Sequence, residues 1–203
     1  MIELDRTEAR KAAEILRAGG VIVYPAETVY GLGCDPWNLG AWERIVRLKQ
    51  RDSTRSMLLL ADSREMVEEV AGKLGALAAR LAEAFWPGSL TLVLRPEFTL
   101  PGWLYGPTGG VAFRVTTSPV SRAIIGEFGK PVVSTSANIS GEPTVATFEE
   151  ARRRFGDSVD LVMGSPVPLS GVPSTVVDVA SGRVELLREG AVPPALIREV
   201  MGI

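Results

Sequence analysis

The chain has 203 residues, with 22 Lys and Arg against 24 Asp and Glu, no histidine, a net charge of −2 and a pI near 5.4. That balance sets up no global field toward nucleic acid or an anionic membrane, so any polyanion has to be met locally. Without imidazole, Ser-His-Asp and Cys-His triads and His-ligated zinc sites are excluded, and the single cysteine, Cys34, excludes an intramolecular disulfide, a CxxC redox pair and a cysteine zinc site.

Hydrophobic residues make up 46% of the chain, enough for a substantial core, and one domain spanning 1–203 is expected. The N-terminal MIELDRTEARKAAEIL has neither a signal-peptide apolar region nor a run of about 18 apolar residues, so a cytoplasmic protein without membrane contact is expected.

Asp5 with Glu8 resembles a capping box, and a first helix is predicted from Thr7 to Ala18, stopped by Gly19-Gly20. VIVY (21–24) reads as a buried strand and PAETVYGLGCD (25–35) as a glycine-punctuated loop at its end. A second helix is predicted over Leu39 to Arg51, then a strand at MLLL (57–60). Asp62 with Glu65 opens one long helix whose Met66, Val67, Val70, Leu74, Leu77, Ala78, Leu81 and Phe85 recur at helical spacing, ended by Trp86-Pro87-Gly88. LTLVLR (90–95) and VAFRV (111–115) read as strands joined by an irregular segment, 96–110. Ser118-Pro119 starts a helix and Gly129 stops it. PVVSTSANISGEPT (131–144) is a short strand running into a hydroxyl-rich loop. Thr147 and Glu150 cap a helix to Phe155, and strands at 161–163, 175–179 and 183–188 precede a last helix near 194–201. Strands interleaved with helices predict an α/β fold: a twisted mixed β-sheet flanked by helices.

Four segments carry side chains that packing does not call for. Across 41–60 five cations, Arg44, Arg47, Lys49, Arg51 and Arg55, face Glu43 and Asp52, a local balance of +3. Arg44 and Arg47 fit a solvated helix face. Lys49 instead continues the stripe of Trp42, Ile45 and Val46, so its stem can lie along the core while its ammonium reaches a cavity edge. Arg51 and Arg55 supply planar forks suited to phosphate oxygens. The STSAN run, Ser134 to Asn138, either offers donors to an anion at a strand end or is an ordinary turn. Ser174-Thr175 before an apolar strand has the same two readings. Gly31 and Gly33 could admit a ligand close to the backbone, although neither a dinucleotide fingerprint nor a Walker A lysine motif occurs. Arg114, flanked by valines, either alternates to solvent or pairs with an anion inside. Cys34 reads as a buried inert thiol, and Arg152 to Arg154 as a solvated face with RNA contact as the lesser alternative.

Taken in order, GGVIVYPAETVYGLGCD, LKQR, WPGSLTLVL, VAFRV, PVVSTSANISGEPT and STVVDV followed by LLREG resemble the YrdC/TsaC family of threonylcarbamoyl-AMP synthases. The resemblance covers most of the chain and is similar to the short, single-domain form. It implies an open α/β sandwich with a basic cavity. It also implies a nucleotidyltransferase that makes threonylcarbamoyl-AMP and pyrophosphate from L-threonine, bicarbonate or CO2, and ATP, for threonylcarbamoyladenosine modification of tRNA. By the family's motifs Thr28, Arg114, Ser134 and Ser174 would hold threonine. Lys49, Arg51, Arg55, Gly110, Ser136, Asn138, Thr144 and Arg188 would hold ATP, with Lys49, Arg51 and Arg55 opposing triphosphate charge in catalysis. Mg2+ would arrive with the nucleotide rather than on a metal site of the protein. The implied partners are a threonylcarbamoyl-transferase complex and tRNA. Two departures stand out: Asp52 follows Arg51 where the family has proline, and Ser118 stands where the family has histidine. A related YciO-like branch supplies the alternative expectation, a double-stranded RNA- or tRNA-binding protein without this activity.

Overall fold

The computed structural model describes residues 6–27, 29–50, 57–164, 169 and 171–202. The predicted capping box at Asp5 lies outside them, and the first helix, α1 (Arg6–Arg17), ends at Gly19 with φ +80°. Its buried Ala9, Ala12, Ala13 and Leu16 recur at helical spacing. Three of the four are alanines, which lets α1 lie close against α5 (Pro119–Phe128), its main helical neighbour. Ser118 caps α5 through Ser121 N–H, Pro119 opens it, and Gly129 closes it at φ +82°.

Among the described residues nine strands form one mixed sheet. They are β1 (Ile22–Pro25), β2 (Tyr30–Cys34), β3 (Leu58–Ala61), β4 (Leu90–Leu94), β5 (Val111–Val115), β6 (Val132–Ser136), β7 (Leu161–Val162), β8 (Thr175–Asp178) and β9 (Glu185–Arg188). Their spatial order is β7-β1-β2-β6-β3-β5-β4-β8-β9. β1–β7, β3–β5 and β4–β8 are parallel and the other pairs antiparallel.

Strand alternation divides the core in two. On one face Leu32, Leu59, Leu90, Leu92, Phe113, Val133 and Val177 are buried together with Trp42 and Ile45 of α2 (Leu39–Leu48), Val67 of α3 (Arg64–Ala71), Leu81 of α4 (Ala76–Phe85), Phe155 of α6 (Phe148–Phe155) and Ile197 of α7 (Pro194–Met201). On the other face Ile22, Tyr24, Leu60 and Val132 pack under α1 and α5. Each fully buried Leu or Ile on these faces contributes about 2 kcal/mol. The α1–α5 layer does not reach β4, β5 and β8. Their residues on that face, Thr91, Val93, Ala112, Arg114 and Val176, line an open cavity instead.

The structure departs from the predicted elements in five places. The helix expected over 62–85 is two, because Gly72 leaves α3 at φ +86° in a place where a Cβ would meet the Glu97 side chain at 2.4 Å, and Gly75 starts α4 anew. Ser63, not Asp62, accepts the capping hydrogen bond from Met66 N–H. The loop expected at 25–35 contains β2, whose two glycines hide a strand by propensity. The absent side chain of Gly33 makes room for the Tyr24 ring, since a Cβ there would lie 2.7 Å from Tyr24 Cε1. Helix α2 ends at Leu48 with Lys49 as its cap, and Gln50 turns out at φ +46°. Segment 96–110 holds a 3-10 turn, Gly102–Leu104, anchored by buried Leu100 and Leu104. No helix among the described residues is long and apolar enough to cross a membrane.

Candidate functional site

The open half of the sheet floors a cavity of about 490 Å³. Lys49, Arg114, Ser134, Ser136, Asn138, Thr144, Ser174 and Arg188 all lie on its lining, drawn from α2, β5, β6, the loop after β6, the start of β8 and the end of β9.

At one end Lys49 joins α2 to the STSAN segment. Its Nζ donates to Ser136 O at 2.5 Å and to Asn138 O and Asn138 Oδ1 at 3.1 Å each, while Lys49 O accepts from Ser140 N–H at 2.9 Å. Asn138 uses all of its amide: Oδ1 also accepts from Ser136 Oγ at 2.6 Å, and Nδ2 donates to Ile139 O and Glu142 O at 3.0 and 2.8 Å. The turn reading of STSAN therefore holds for Asn138, which organises the loop. Lys49 is 3% exposed, so its charge acts from beneath the cavity floor, where low dielectric strengthens it.

At the other end Arg114 rises from β5, buried to 4% exposure, which settles its alternatives in favour of the interior. Its Nε lies 3.8 Å from Glu27 Oε2 and has no hydrogen-bond partner. Arg188 reaches in from the edge strand and donates through Nε and Nη2 to Ser174 O at 3.1 and 2.8 Å, and through Nη2 to Ser174 Oγ at 3.1 Å. Ser174 Oγ lies 2.9 Å from Thr91 Oγ1. Burial, and then the neighbouring Arg114 charge, lowers the pKa of Arg188. Both guanidiniums line the same cavity, and an anion bound there would offset their repulsion.

Thr28, Arg51 and Arg55, with Asp52 beside them, lie outside the described residues. Gly110 does not line the cavity. It is buried behind the wall, where a Cβ would meet Val93 Cγ1 at 2.5 Å and Leu94 O at 3.0 Å, so packing alone calls for glycine. Gly31 does reach the lining, whereas Gly33 serves the Tyr24 ring. Burial pushes the Cys34 thiol far up, as expected of an inert cysteine. Ser118 has a structural task, capping α5 and donating from Oγ to Pro25 O at 3.2 Å.

Two contributors escaped sequence reasoning. Thr91 breaks the LTLVL run on the face opposite Leu90, Leu92 and Leu94, so period-two alternation carried its signal. Glu27 carried none, because its partners are Ser89, Arg114 and Thr117, far along the chain.

Among the described residues no three carboxylate, Cys or His side chains cluster to hold a metal ion. The cavity lining offers cations and hydroxyls and, among the described residues, no carboxylate, a set suited to anions rather than to a hard cation. The open sheet and the cavity define an α/β protein with a cation-lined cleft on one sheet face. The chain belongs to the Sua5/YciO/YrdC family, described as "Telomere recombination", which it matches over residues 14–190. Threonylcarbamoyl-AMP synthase of Pseudoalteromonas translucida (strain TAC 125) is 37% identical over 182 residues, covering 89% of this chain and 97% of that protein. The enzyme of the same name from Thiobacillus denitrificans (strain ATCC 25259 / T1) is 38% identical over 186 residues, covering 89% and 98%. The structure of P. abyssi Sua5 complexed with L-threonine superposes with a TM-score of 0.91 at 32% identity, covering 98% of this chain but 59% of that one, so the chain spans about three-fifths of Sua5. E. coli YciO gives a TM-score of 0.85 at 30% identity, covering 93% and 92%.

Proposed function

We propose that this protein is a threonylcarbamoyl-AMP synthase, an enzyme that joins L-threonine, bicarbonate or CO2, and ATP into L-threonylcarbamoyladenylate and releases pyrophosphate. The observation that carries the reading is its likeness to enzymes of that name over nearly their whole length. The cavity supports it with anion-receiving clusters at both ends.

Threonine's amine, once it has lost its proton, adds to CO2 to give an N-carboxylate. That carboxylate attacks the α-phosphorus of ATP, and the bond to the bridging oxygen breaks as pyrophosphate leaves. Neither step needs a side-chain nucleophile, so the protein's work is alignment and charge neutralisation. Arg114, Ser134 and Ser174, with Thr28, are assigned to the threonine end. Lys49, Ser136, Asn138, Thr144 and Arg188, with Arg51 and Arg55, are assigned to ATP. Mg2+ is taken to enter on the nucleotide and to offset phosphate charge there. The mixed anhydride product is a reactive acyl donor, which calls for a threonylcarbamoyl-transferase complex acting on tRNA as its consumer.

The test is pyrophosphate release by the purified protein. It is expected to require both threonine and bicarbonate and to fall at least about 100-fold in Arg114→Ala, the loss of about 2.7 kcal/mol of transition-state stabilisation. Equal release without threonine would sink the assignment.

A further inference from the structure

Glu27 is the one carboxylate paired with a cation of the cavity floor among the described residues, and its geometry is specific. Oε1 accepts from Thr117 N–H and, at 2.8 Å, from Thr117 Oγ1, while Oε2 accepts from Ser89 Oγ at 3.4 Å. Oε2 also stands 3.8 Å from Arg114 Nε, near enough for charge attraction and too far for a hydrogen bond. Both side chains are 5% exposed. Arg114 is thus held by a counter-charge that makes no hydrogen bond to its buried Nε.

A buried guanidinium without a counter-charge is costly and would leave its position or capture ambient anions. A guanidinium in bidentate hydrogen bonds with a carboxylate would have spent two of its five N–H donors on the protein. The observed spacing avoids both. Glu27 is also a poor candidate for taking the amine's proton, because Thr117 and Ser89 already use its lone pairs and it stands off the cavity lining.

Building on the function proposed above, we propose that Glu27 is the positioning residue of the amino-acid end of the cavity: it holds Arg114 by charge from the buried Nε side, so that the guanidinium stays on the cavity lining for the substrate carboxylate. Thr117, outside the cavity, fixes Glu27 for this task.

Steady-state pyrophosphate release separates this role from a merely structural one. In Glu27→Gln the amide oxygen can keep the Thr117 hydrogen bonds, whereas the counter-charge is gone. KM for L-threonine is expected to rise about tenfold or more, with kcat and KM for ATP within about twofold of the parent protein. Glu27→Asp, which keeps the charge, is expected to recover most of that loss. Thr117→Val, which removes one anchor, should show the same threonine-only signature at about threefold, and it stands as the test if Glu27→Gln does not fold. An unmoved threonine KM in Glu27→Gln and Thr117→Val, or a rise in both substrates' KM together, overturns the proposal. Should the parent protein itself release no threonine-dependent pyrophosphate, the proposed function fails and this role falls with it. Normal parent turnover with unmoved variants defeats the role of Glu27 alone.

Discussion

Arg188 donates from one nitrogen, Nη2, to both the carbonyl oxygen of Ser174 at 2.8 Å and its hydroxyl oxygen at 3.1 Å, and adds Nε to the same carbonyl at 3.1 Å. The edge strand β9 thereby delivers a half-buried cation to the cavity and pins the residue just before β8.

A lysine at 188 has the charge but not the fork, and its single ammonium cannot reproduce three contacts spread over two nitrogens. Arg188→Lys is therefore expected to behave more like Arg188→Ala than like the parent, with KM for ATP raised about tenfold in both when pyrophosphate release is followed against nucleotide concentration. Parent-like kinetics in the lysine variant would show that charge alone suffices at this position.

Asn138 offers a sharper test of the loop, because its Nδ2 faces two carbonyl oxygens, those of Ile139 and Glu142. Asn138→Asp changes almost no volume but turns that donor into an acceptor against two acceptors. The unsatisfied carbonyls and their repulsion should cost about 2–4 kcal/mol in urea unfolding, and ATP binding should weaken at least about tenfold. An unchanged unfolding midpoint would mean that the loop does not depend on this amide.

Much of this was legible in the sequence, and for identifiable reasons. Helices α1 and α5 carry their own punctuation in Gly19, Ser118, Pro119 and Gly129, and Lys49 announced its burial by continuing an apolar stripe. What stayed hidden depends on contacts between distant residues. Strand β2 was masked because Gly31 and Gly33 have poor strand propensity, and what calls for Gly33 is the Tyr24 ring lying against it. The break at Gly72 was masked because the apolar spacing runs on from Met66 to Phe85 as if through one helix, and the Glu97 side chain that fills the space beside Gly72 comes from far along the chain. Glu27 acquires its role only from Thr117, 90 positions away.

The glycine argument can be tested directly. In Gly33→Ala the new methyl would lie 2.7 Å from Tyr24 Cε1 and 3.2 Å from both Val132 Cγ1 and Val133 O, with backbone on one side and a packed ring on the other. Overpacking of this kind costs about 1–3 kcal/mol, read as a lower urea midpoint. The double variant Gly33→Ala with Tyr24→Leu should recover part of that loss, because the leucine cannot reach as far as the ring. A Gly33→Ala variant as stable as the parent would show that the ring has somewhere else to go.

Tyr24 also sets an alkaline limit on stability. Burial pushes its phenol from the usual 10 up to about 12, with Ser134 and Arg114 pulling the other way less strongly. The folded state therefore keeps the proton where the unfolded chain releases it. Between pH 10 and 12 the unfolded state binds fewer protons at this group, so its contribution is whole below pH 10 and is lost as pH rises, by about 1.4 kcal/mol per pH unit. The hydroxyl makes no hydrogen bond of good geometry, so Tyr24→Phe should change stability by less than about 1 kcal/mol at pH 7. The same variant should lose stability less steeply above pH 10, leaving the slope due to Cys34, whose thiol burial also holds protonated. Urea unfolding of both proteins at pH 7 and at pH 11 decides the matter: parallel losses in the two would clear Tyr24 of any part in alkaline unfolding.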